Sequence, residues 1–231
     1  MQTELKPENT SGQIHGKNTW SDLAQLFGLR LIGPGESLQI AAREQDLYFY
    51  TLYAGAHTIS VERGDCVFYL SQDKQEAILK RGPVEISSQW LATVIRGYMP
   101  ENKTSGLLTQ ANLPYVNGCA TRQVFPPERH GDPTLQLLDM PPYSSEQVHH
   151  IHSTVRIVYV LQGHGWCHVG MDKHSFKTEL FPGQIILLEK MCPHHFETEG
   201  ERLIVLPLHV FSSVGALEKA HPMFHGTYQI G

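Results

Sequence analysis

Short segments rich in β-branched, aromatic and other apolar residues recur along almost the whole chain, and Gly, Pro, Asp or Asn residues separate them. Segments of this length at this spacing are typical of β-sandwiches and β-barrels, whereas alternating β and α units are not seen. The sequence therefore predicts an all-β fold with few short helices. The predicted strands are 38–42, 46–54, 57–62, 66–70, 76–80, 84–88, 91–98, 121–125, 134–140, 148–162, 166–171, 175–180, 184–189, 195–199 and 202–211, and the predicted helices are 20–28 and 213–221.

The strands fall into two series, and residues 99–118 between them have the composition of a linker. Aligning Gly55 with Gly163, and Gly82 with Gly183, brings similar strand sequences of the two series into register. Such self-similarity suggests a tandem repeat. The predicted organisation is a flexible arm at 1–19, a first domain at 20–115 and a second domain at 116–231.

Charge and hydropathy exclude several classes of partner. The formal net charge is −5, and no run of Lys or Arg is longer than two residues, which argues against binding to nucleic acid or to an anionic membrane surface. No apolar stretch approaches the length of a membrane span, and the polar start has no signal-like apolar region. The four cysteines show no C-x-x-C spacing, so we expect a cytoplasmic protein with reduced thiols.

Histidine is concentrated in the second domain: of 14 histidines, only His15 and His57 precede residue 130. His150 and His152 stand two residues apart in a predicted strand, so both side chains should lie on the same face. His194 follows Pro193 at the start of another predicted strand. Three imidazoles with open coordination positions suit a divalent transition metal, namely Fe, Zn, Ni, Mn or Cu, with Fe(II) and Zn favoured.

These residues carry a resemblance to a known superfamily. The pattern H-x-H followed by Gly163, and then Gly183 with Pro193-His194-His195-Phe196, resembles the paired motifs of the cupins. The resemblance covers roughly residues 134–211, and it implies His150, His152 and His194 as metal ligands. It also implies two tandem jelly-roll barrels, a bicupin, whose first half is degenerate because Ala42 and Glu44 replace the first two histidines. Pairing through edge strands would make the protein a homodimer.

Arg156 departs from the cupin pattern, which places a glutamate ligand at this position. Three interpretations stay open. The arginine turns aside and leaves a three-histidine site; it points into the pocket and binds an anionic substrate; or the site holds no metal and the histidines bind ligand directly.

Other side chains near the motif are weaker candidates. Tyr159 is a candidate catalytic acid beside Arg156, with a packed core aromatic as its alternative. His149 and His195 should point outward by alternation, His168 lies either beside the metal or on the surface, and Glu197 is either an exposed carboxylate or a hydrogen-bond partner of a ligand imidazole.

Two functions follow from this pattern. The first is a mononuclear metalloenzyme acting on a small polar substrate, as an Fe(II)-type dioxygenase or as a metal-dependent isomerase or lyase. The second is a non-catalytic small-molecule-binding or sensory module, favoured by the degenerate first half and by the missing glutamate. A purely structural role has no support in the composition.

Overall fold

The computed structural model describes residues 20–41, 50–107, 111, 113–128, 131–171 and 175–210. These residues form a helix α1 (Trp20–Phe27), a short 3-10 turn (Val116–Gly118) and eighteen strands. The strands are β1 (Leu29–Ile32), β2 (Leu38–Ala41), β3 (Tyr50–Ala54), β4 (His57–Val61), β5 (Asp65–Leu70), β6 (Glu76–Arg81), β7 (Val84–Ser88), β8 (Leu91–Arg96), β9 (Lys103–Gly106), β10 (Leu113–Pro114), β11 (Ala120–Phe125), β12 (Thr134–Met140), β13 (Val155–Gly163), β14 (Gly165–Val169), β15 (Phe176–Leu180), β16 (Ile185–Leu188), β17 (His194–Glu197) and β18 (Leu203–Val210). The predicted all-β class is confirmed.

The N-terminal barrel is formed by a six-stranded sheet and a two-stranded sheet. The large sheet has the order β2-β3-β8-β5-β6-β9, and β4 pairs with β7 in the small one. Apolar side chains from both sheets fill the space between them, including Ile59, Val67 and Val94. The described interior of this barrel therefore contains an apolar cluster.

The C-terminal barrel repeats this arrangement with more strands. A seven-stranded sheet has the order β1-β16-β13-β18-β12-β11-β10, and a three-stranded sheet has the order β15-β14-β17. Val158 and Val160 of β13 face Cys167 and Phe196 of the small sheet across the barrel. The side chains at even positions of β13 thus point into this barrel.

The two large sheets pack against each other and share one core. The side chains at odd positions of β13, including Ile157 and Tyr159, join this core together with Leu52 and Phe68 of the N-terminal sheet. The rings of Phe68 and Phe125 lie 6.1 Å apart across the interface. The described residues therefore form four stacked sheets. The shared core lies between the two large sheets, and each barrel interior lies between a large sheet and its small sheet.

Two strand pairings recur in both barrels. In the N-terminal barrel β3 pairs with β8 and β4 with β7, and in the C-terminal barrel β13 pairs with β18 and β14 with β17. Gly55 directly follows β3, and Gly163 is the last residue of the corresponding strand β13. Their φ angles are +76° and +82°. The predicted alignment of Gly82 with Gly183 does not hold in the structure, because Gly82 leads into β7 of the two-stranded sheet and Gly183 leads into β16 of the seven-stranded sheet. The fold is two tandem cupin-like jelly-roll barrels.

Three expectations need correction. The strand predicted at 148–162 begins only at Val155, so His150 and His152 lie in an irregular segment before β13. Residues 29–32, assigned to the first domain without a predicted strand, form β1, which pairs with β16 of the C-terminal sheet. Pairing through edge strands was expected to form the homodimer, but the long apolar strands β3, β16 and β18 each lie between two neighbouring strands. The division between residues 115 and 116, and the homodimer, stay predictions.

Some expectations concern parts of the chain outside the described residues: the arm at 1–19, the replacements Ala42 and Glu44, and the helix at 213–221. Within the described residues, none of the helices has the length and apolar character that a membrane crossing requires.

Candidate metal centre

A pair of backbone hydrogen bonds places two of the three predicted ligands side by side. The amide of His150 donates to the carbonyl of His194 at 3.1 Å, and the amide of His194 donates to the carbonyl of His150 at 2.9 Å. The third histidine is held nearby, because the amide of Met191 donates to the carbonyl of His152 at 2.7 Å. The irregular segment before β13 is thus fixed to the loop that leads into β17.

The three imidazoles converge inside the C-terminal barrel. One nitrogen from each of His150, His152 and His194 lies within 4.8 Å of the others. The ring centroids are 4.5 Å apart for His150 and His152, 4.8 Å for His150 and His194, and 5.3 Å for His152 and His194. His194 is buried and the other two are half-buried.

Backbone carbonyls select the tautomers of two of these rings. Nδ1 of His150 donates to the carbonyl of Val148, and Nδ1 of His194 donates to the carbonyl of Cys192, both at 2.8 Å. A carbonyl only accepts, so the neutral rings carry their proton on Nδ1 and keep the lone pair on Nε2. This orientation is the one found for metal-ligating histidines, whose other nitrogen donates to a fixed acceptor.

The surroundings keep the rings neutral. Burial lowers the pKa of His194 to about 4 and that of His152 to about 3, and the positive charge of Arg156 acts in the same direction. The pKa of His150 is lowered as well, mainly by burial. Neutral imidazole is the form that binds metal, so these histidines are available as ligands near neutral pH.

Arg156 lies on the histidine side of β13, as the alternation predicts. Its Nη2 donates to Nδ1 of His152 at 2.9 Å, its Nη1 donates to Nε2 of His209 at 2.8 Å, and its Nε donates to Oγ1 of Thr154 at 3.3 Å. Burial lowers the pKa of Arg156 to about 10, so the group is still a cation at neutral pH. The interpretation in which Arg156 turns aside is therefore wrong.

The contact with His152 decides how the site fits a metal. Because Nδ1 of His152 accepts from Arg156, the neutral ring carries its proton on Nε2, which donates to Nε2 of His150 at 2.8 Å. A metal on Nε2 of His152 needs the proton on Nδ1, where it would face the guanidinium. His150 and His194 fit a metal as they stand, and His152 fits once its hydrogen bond to Arg156 breaks.

Glu146 is a carboxylate at this site that was not predicted from the sequence. Its Oε1 lies 3.8 Å from Nε2 of His150, and its side chain is buried. Burial raises the pKa of Glu146 to about 7, while a backbone hydrogen bond at Phe196 and the charge of Arg156 lower it. Glu146 therefore places a carboxyl group near the histidines, whereas Arg156 stands at the position where the cupin pattern has a glutamate. The signal in the sequence for this carboxyl group was its place four residues before His150.

His209 was also missed. It lies opposite Arg156 in the pairing of β13 with β18 and is buried, and burial lowers its pKa well below the usual histidine range. The strand sequence around it is otherwise apolar, and this isolated polar residue was the signal that a buried partner exists.

Tyr159 does not reach the site. Its side chain points to the other face of β13, into the core shared by the two large sheets, and its hydroxyl has no hydrogen-bond partner among the described residues. Burial raises its pKa to about 12. The predicted catalytic role of Tyr159 therefore has no support in the geometry, because neighbouring residues of a strand face opposite sides.

No protein-family model matches this sequence, and no curated protein does either. Solved structures do resemble it. A cupin 2 conserved barrel domain protein from Rhodopseudomonas palustris has 19% identity and a TM-score of 0.36 over 44% of this chain and 66% of its own. Oxalate decarboxylase OxdC from Bacillus subtilis, as a single-site mutant, has 10% identity and a TM-score of 0.46 over 87% of this chain and 84% of its own.

A third structure covers both barrels: HEPD from Streptomyces albus, with its substrate 2-hydroxyethylphosphonate and Fe(II) bound. It has 8% identity and a TM-score of 0.53 over 85% of this chain and 80% of its own. The chain has the cupin fold. In this chain, the histidine cluster lies inside the C-terminal barrel, where the two jelly-roll sheets face each other.

Proposed function

We propose that the C-terminal barrel of this cupin is a mononuclear metalloenzyme site, with His150, His152 and His194 as ligands and a small anionic molecule as substrate. The observation that carries the proposal is the convergence of the three imidazoles beside a half-buried guanidinium. When bound, an Fe(II) or Zn(II) ion would supply a Lewis acid, and iron also a redox centre.

Arg156 is the substrate-binding group in this proposal. Ligation by His152 removes one acceptor of the guanidinium, while His209 and Thr154 continue to hold the other nitrogens. A guanidinium that lacks an acceptor in a half-buried site favours an anion, and carboxylate, phosphate and phosphonate groups match its geometry. Arg156 would thus bind the substrate anion next to the metal ligands.

Glu146 complements this arrangement. A buried carboxylate 3.8 Å from Nε2 of His150 places negative charge beside the proposed metal position. It also faces the positive charge of Arg156, which acts on its pKa. Glu146 would offset the charge of the metal and accept or hold a proton within the cavity.

The reaction class that we propose is oxygen-dependent oxidation if iron is the resident metal, and isomerisation or elimination if the metal is redox-neutral. The HEPD structure, with Fe(II) and a phosphonate substrate bound, supports this choice of metal and of substrate charge. Its identity of 8% leaves the substrate of the present chain to experiment.

Reconstitution and turnover test the proposal. The protein is loaded anaerobically with Fe(II) or Zn(II) and incubated with small carboxylates, phosphates and phosphonates, and O2 consumption and product formation are followed. We expect turnover that is lost in His150→Ala, and a KM that rises far more in Arg156→Met than in Arg156→Lys. A folded, metal-loaded protein that neither turns over nor binds any of these anions would contradict the proposal.

One observation favours a second function, a ligand-binding module without catalysis. Arg156, His152, His150 and the carbonyl of Val148 form a continuous hydrogen-bond chain that is complete without a metal. Thermal-shift measurements separate the two functions. Stabilisation by an anion alone, unchanged by chelators and accompanied by no turnover, would favour the binding module.

A further inference from the structure

A second histidine cluster lies on the outer face of the three-stranded sheet, on the side opposite to the barrel interior. His168 of β14 and His195 of β17 are direct partners in the antiparallel pairing of these strands. Glu197 stands two residues after His195, so its side chain lies on the same face. Directly opposed and diagonal side chains on one face of a sheet are close enough to share a ligand.

The distances within this outer cluster are short. One ligand atom from each of His168, His195 and Glu197 lies within 4.8 Å of the others. Nε2 of His168 is 2.6 Å from Oε2 of Glu197, and the rings of His168 and His195 stack at 4.4 Å with their planes 6° apart. A tetrahedral ion with ligand bonds of about 2.0–2.2 Å holds its ligand atoms about 3.4 Å apart, so small side-chain movements would suffice.

His149 fixes the tautomer of His195. Nε2 of His149 lies 2.6 Å from the carbonyl of Gly170 and must donate to it, so the neutral ring accepts at Nδ1. Nδ1 of His195 lies 2.9 Å from that nitrogen and therefore donates. This leaves the lone pair of His195 on Nε2, and an N–H bonded to a fixed acceptor is the usual support of a metal-ligating histidine.

Lys177, a cation on the neighbouring strand, is held away from the cluster. Lys177 is opposite His168 in the pairing of β14 with β15, but its Nζ pairs with Glu199 at 3.0 Å and lies 4.2 Å from the ring centroid of Trp166. The outer cluster thus consists of two imidazoles and a carboxylate. All three side chains are half-buried, and the cluster is open to solvent on one side.

We propose that His168, His195 and Glu197 form a second metal site that binds a divalent transition ion such as Zn(II), with His149 as the positioning residue for His195. Two imidazoles and one carboxylate are a common donor set for zinc, and the exposed side leaves a position for water. The ion would link β14 to β17. Because His149-His150 and His194-His195 are consecutive pairs, the outer site holds the same backbone that carries two inner ligands.

The chain offers a matched control for this proposal. His164, in the turn before β14, contacts Glu179 of β15, with Nε2 2.6 Å from Oε1. Among the described residues no third donor joins this pair. Removing the pair therefore removes a histidine–carboxylate contact of the same length beside the same sheet, and it leaves the three proposed ligands in place.

Metal stoichiometry tests the proposal. Zn(II) binding is measured by calorimetry and by elemental analysis after gel filtration, for the wild type, His168→Gln/Glu197→Gln, His164→Gln/Glu179→Gln and His150→Ala/His194→Ala. Circular dichroism establishes that each variant is folded, and the single variant Glu197→Gln replaces the first double variant if that one is not. The electronic spectrum of Co(II)-loaded protein identifies which site is filled.

We expect the outer variant, His168→Gln/Glu197→Gln, to lose one equivalent of Zn(II) that the His164→Gln/Glu179→Gln control keeps. The inner variant, His150→Ala/His194→Ala, should keep the Zn(II) of the outer site, with a dissociation constant changed less than about threefold. Failure of the inner site alone would leave this outer equivalent in place, so the two proposals fail separately. Equal metal content in the wild type and the outer variant, or an equal loss in the control, would overturn the outer site.

Discussion

Arg156 and His152 share one hydrogen bond that a metal on His152 would have to break. The bond runs from Nη2 of the guanidinium to Nδ1 of the ring at 2.9 Å. Hydrogen bonds to charged groups contribute about 1.5–3 kcal/mol, so this contact is strong enough to change metal affinity by one or two orders of magnitude. Arg156 therefore sets the affinity of the inner centre.

Replacing the arginine should strengthen metal binding. In Arg156→Met, Nδ1 of His152 loses its donor, the ring takes the tautomer with a free Nε2, and a cation leaves the cavity. We expect the dissociation constant for Zn(II) at the inner centre to fall by about tenfold or more, measured by competition with a chelator. Arg122→Met, at a partly buried arginine that bonds Ser105 and Gly106, is the control and should leave the affinity unchanged. Unchanged or weaker binding in Arg156→Met would contradict this account.

Removing the carboxylate at Glu146 should have the opposite effect. Its Oε1 lies 3.8 Å from Nε2 of His150 in a buried position, where charge interactions are screened little. We expect Glu146→Gln to weaken Zn(II) binding by roughly tenfold, about 1.4 kcal/mol. Glu179→Gln, an exposed carboxylate on the other side of the small sheet, serves as the control. Equal affinities of Glu146→Gln and the wild type would exclude Glu146 from the site.

At the scale of elements, strand alternation could be predicted from the sequence, but strand limits could not. Alternation along β13 puts Arg156 and Val158 on one face of the strand, and the structure has both on the interior side. The stretch around His150 has the composition of a strand, yet its backbone is irregular, because its partners are two separate contacts to the β17 region rather than a continuous ladder. These contacts, His150 with His194 and His152 with Met191, join residues distant in the sequence, and local composition does not report them.

The same reason explains the side chains that were missed. His209 meets Arg156 only because β18 pairs with β13, and Glu146 enters the site only because its segment folds over β17. Tyr159 was assigned to the site because it is close to Arg156 in the sequence. It is three residues away in the same strand, however, and side chains an odd number of residues apart lie on opposite faces. The residues of the motif could be predicted, and the side chains that surround it could not.

The turn that joins β13 to β14 depends on a glycine. Gly163 has φ +82°, and a Cβ atom there would lie 1.7 Å from the carbonyl oxygen of Arg202. We expect Gly163→Ala to lower the free energy of unfolding by about 3 kcal/mol or more, since backbone strain adds to a steric clash. Gly35→Ala, with φ +80° and no atom within 4 Å, should cost only about 1–2 kcal/mol. Urea denaturation measures both, and equal losses would contradict the predicted clash.

At the scale of the whole molecule, the shared core makes the two barrels interdependent. Buried side chains from β3, β5 and β8 of one large sheet and from β12, β13 and β18 of the other form a single cluster. Loss of packing in either half therefore exposes apolar surface of the other. This coupling also fixes β13, whose interior face carries Arg156 toward the histidines.

We expect the protein to unfold in one cooperative transition. Ile157→Ala and Leu52→Ala, one from each large sheet, should each lower the midpoint of the same transition, and truncation of a buried aliphatic side chain costs about 2–5 kcal/mol. Near-ultraviolet and far-ultraviolet circular dichroism should give coincident curves. Two resolved transitions, each sensitive to only one substitution, would show that the barrels fold independently.

The most direct test of the inner metal centre is the metal content of the purified protein after anaerobic reconstitution and removal of free ions. The matched samples are the wild type, His150→Ala/His194→Ala and the outer-cluster variant His168→Gln/Glu197→Gln. We expect the inner double variant to lose one equivalent of Fe(II) or Zn(II) per chain and the outer variant to keep that equivalent at the inner centre. A folded inner variant that binds as much metal as the wild type, or a wild type that takes up no metal at all, would contradict this expectation.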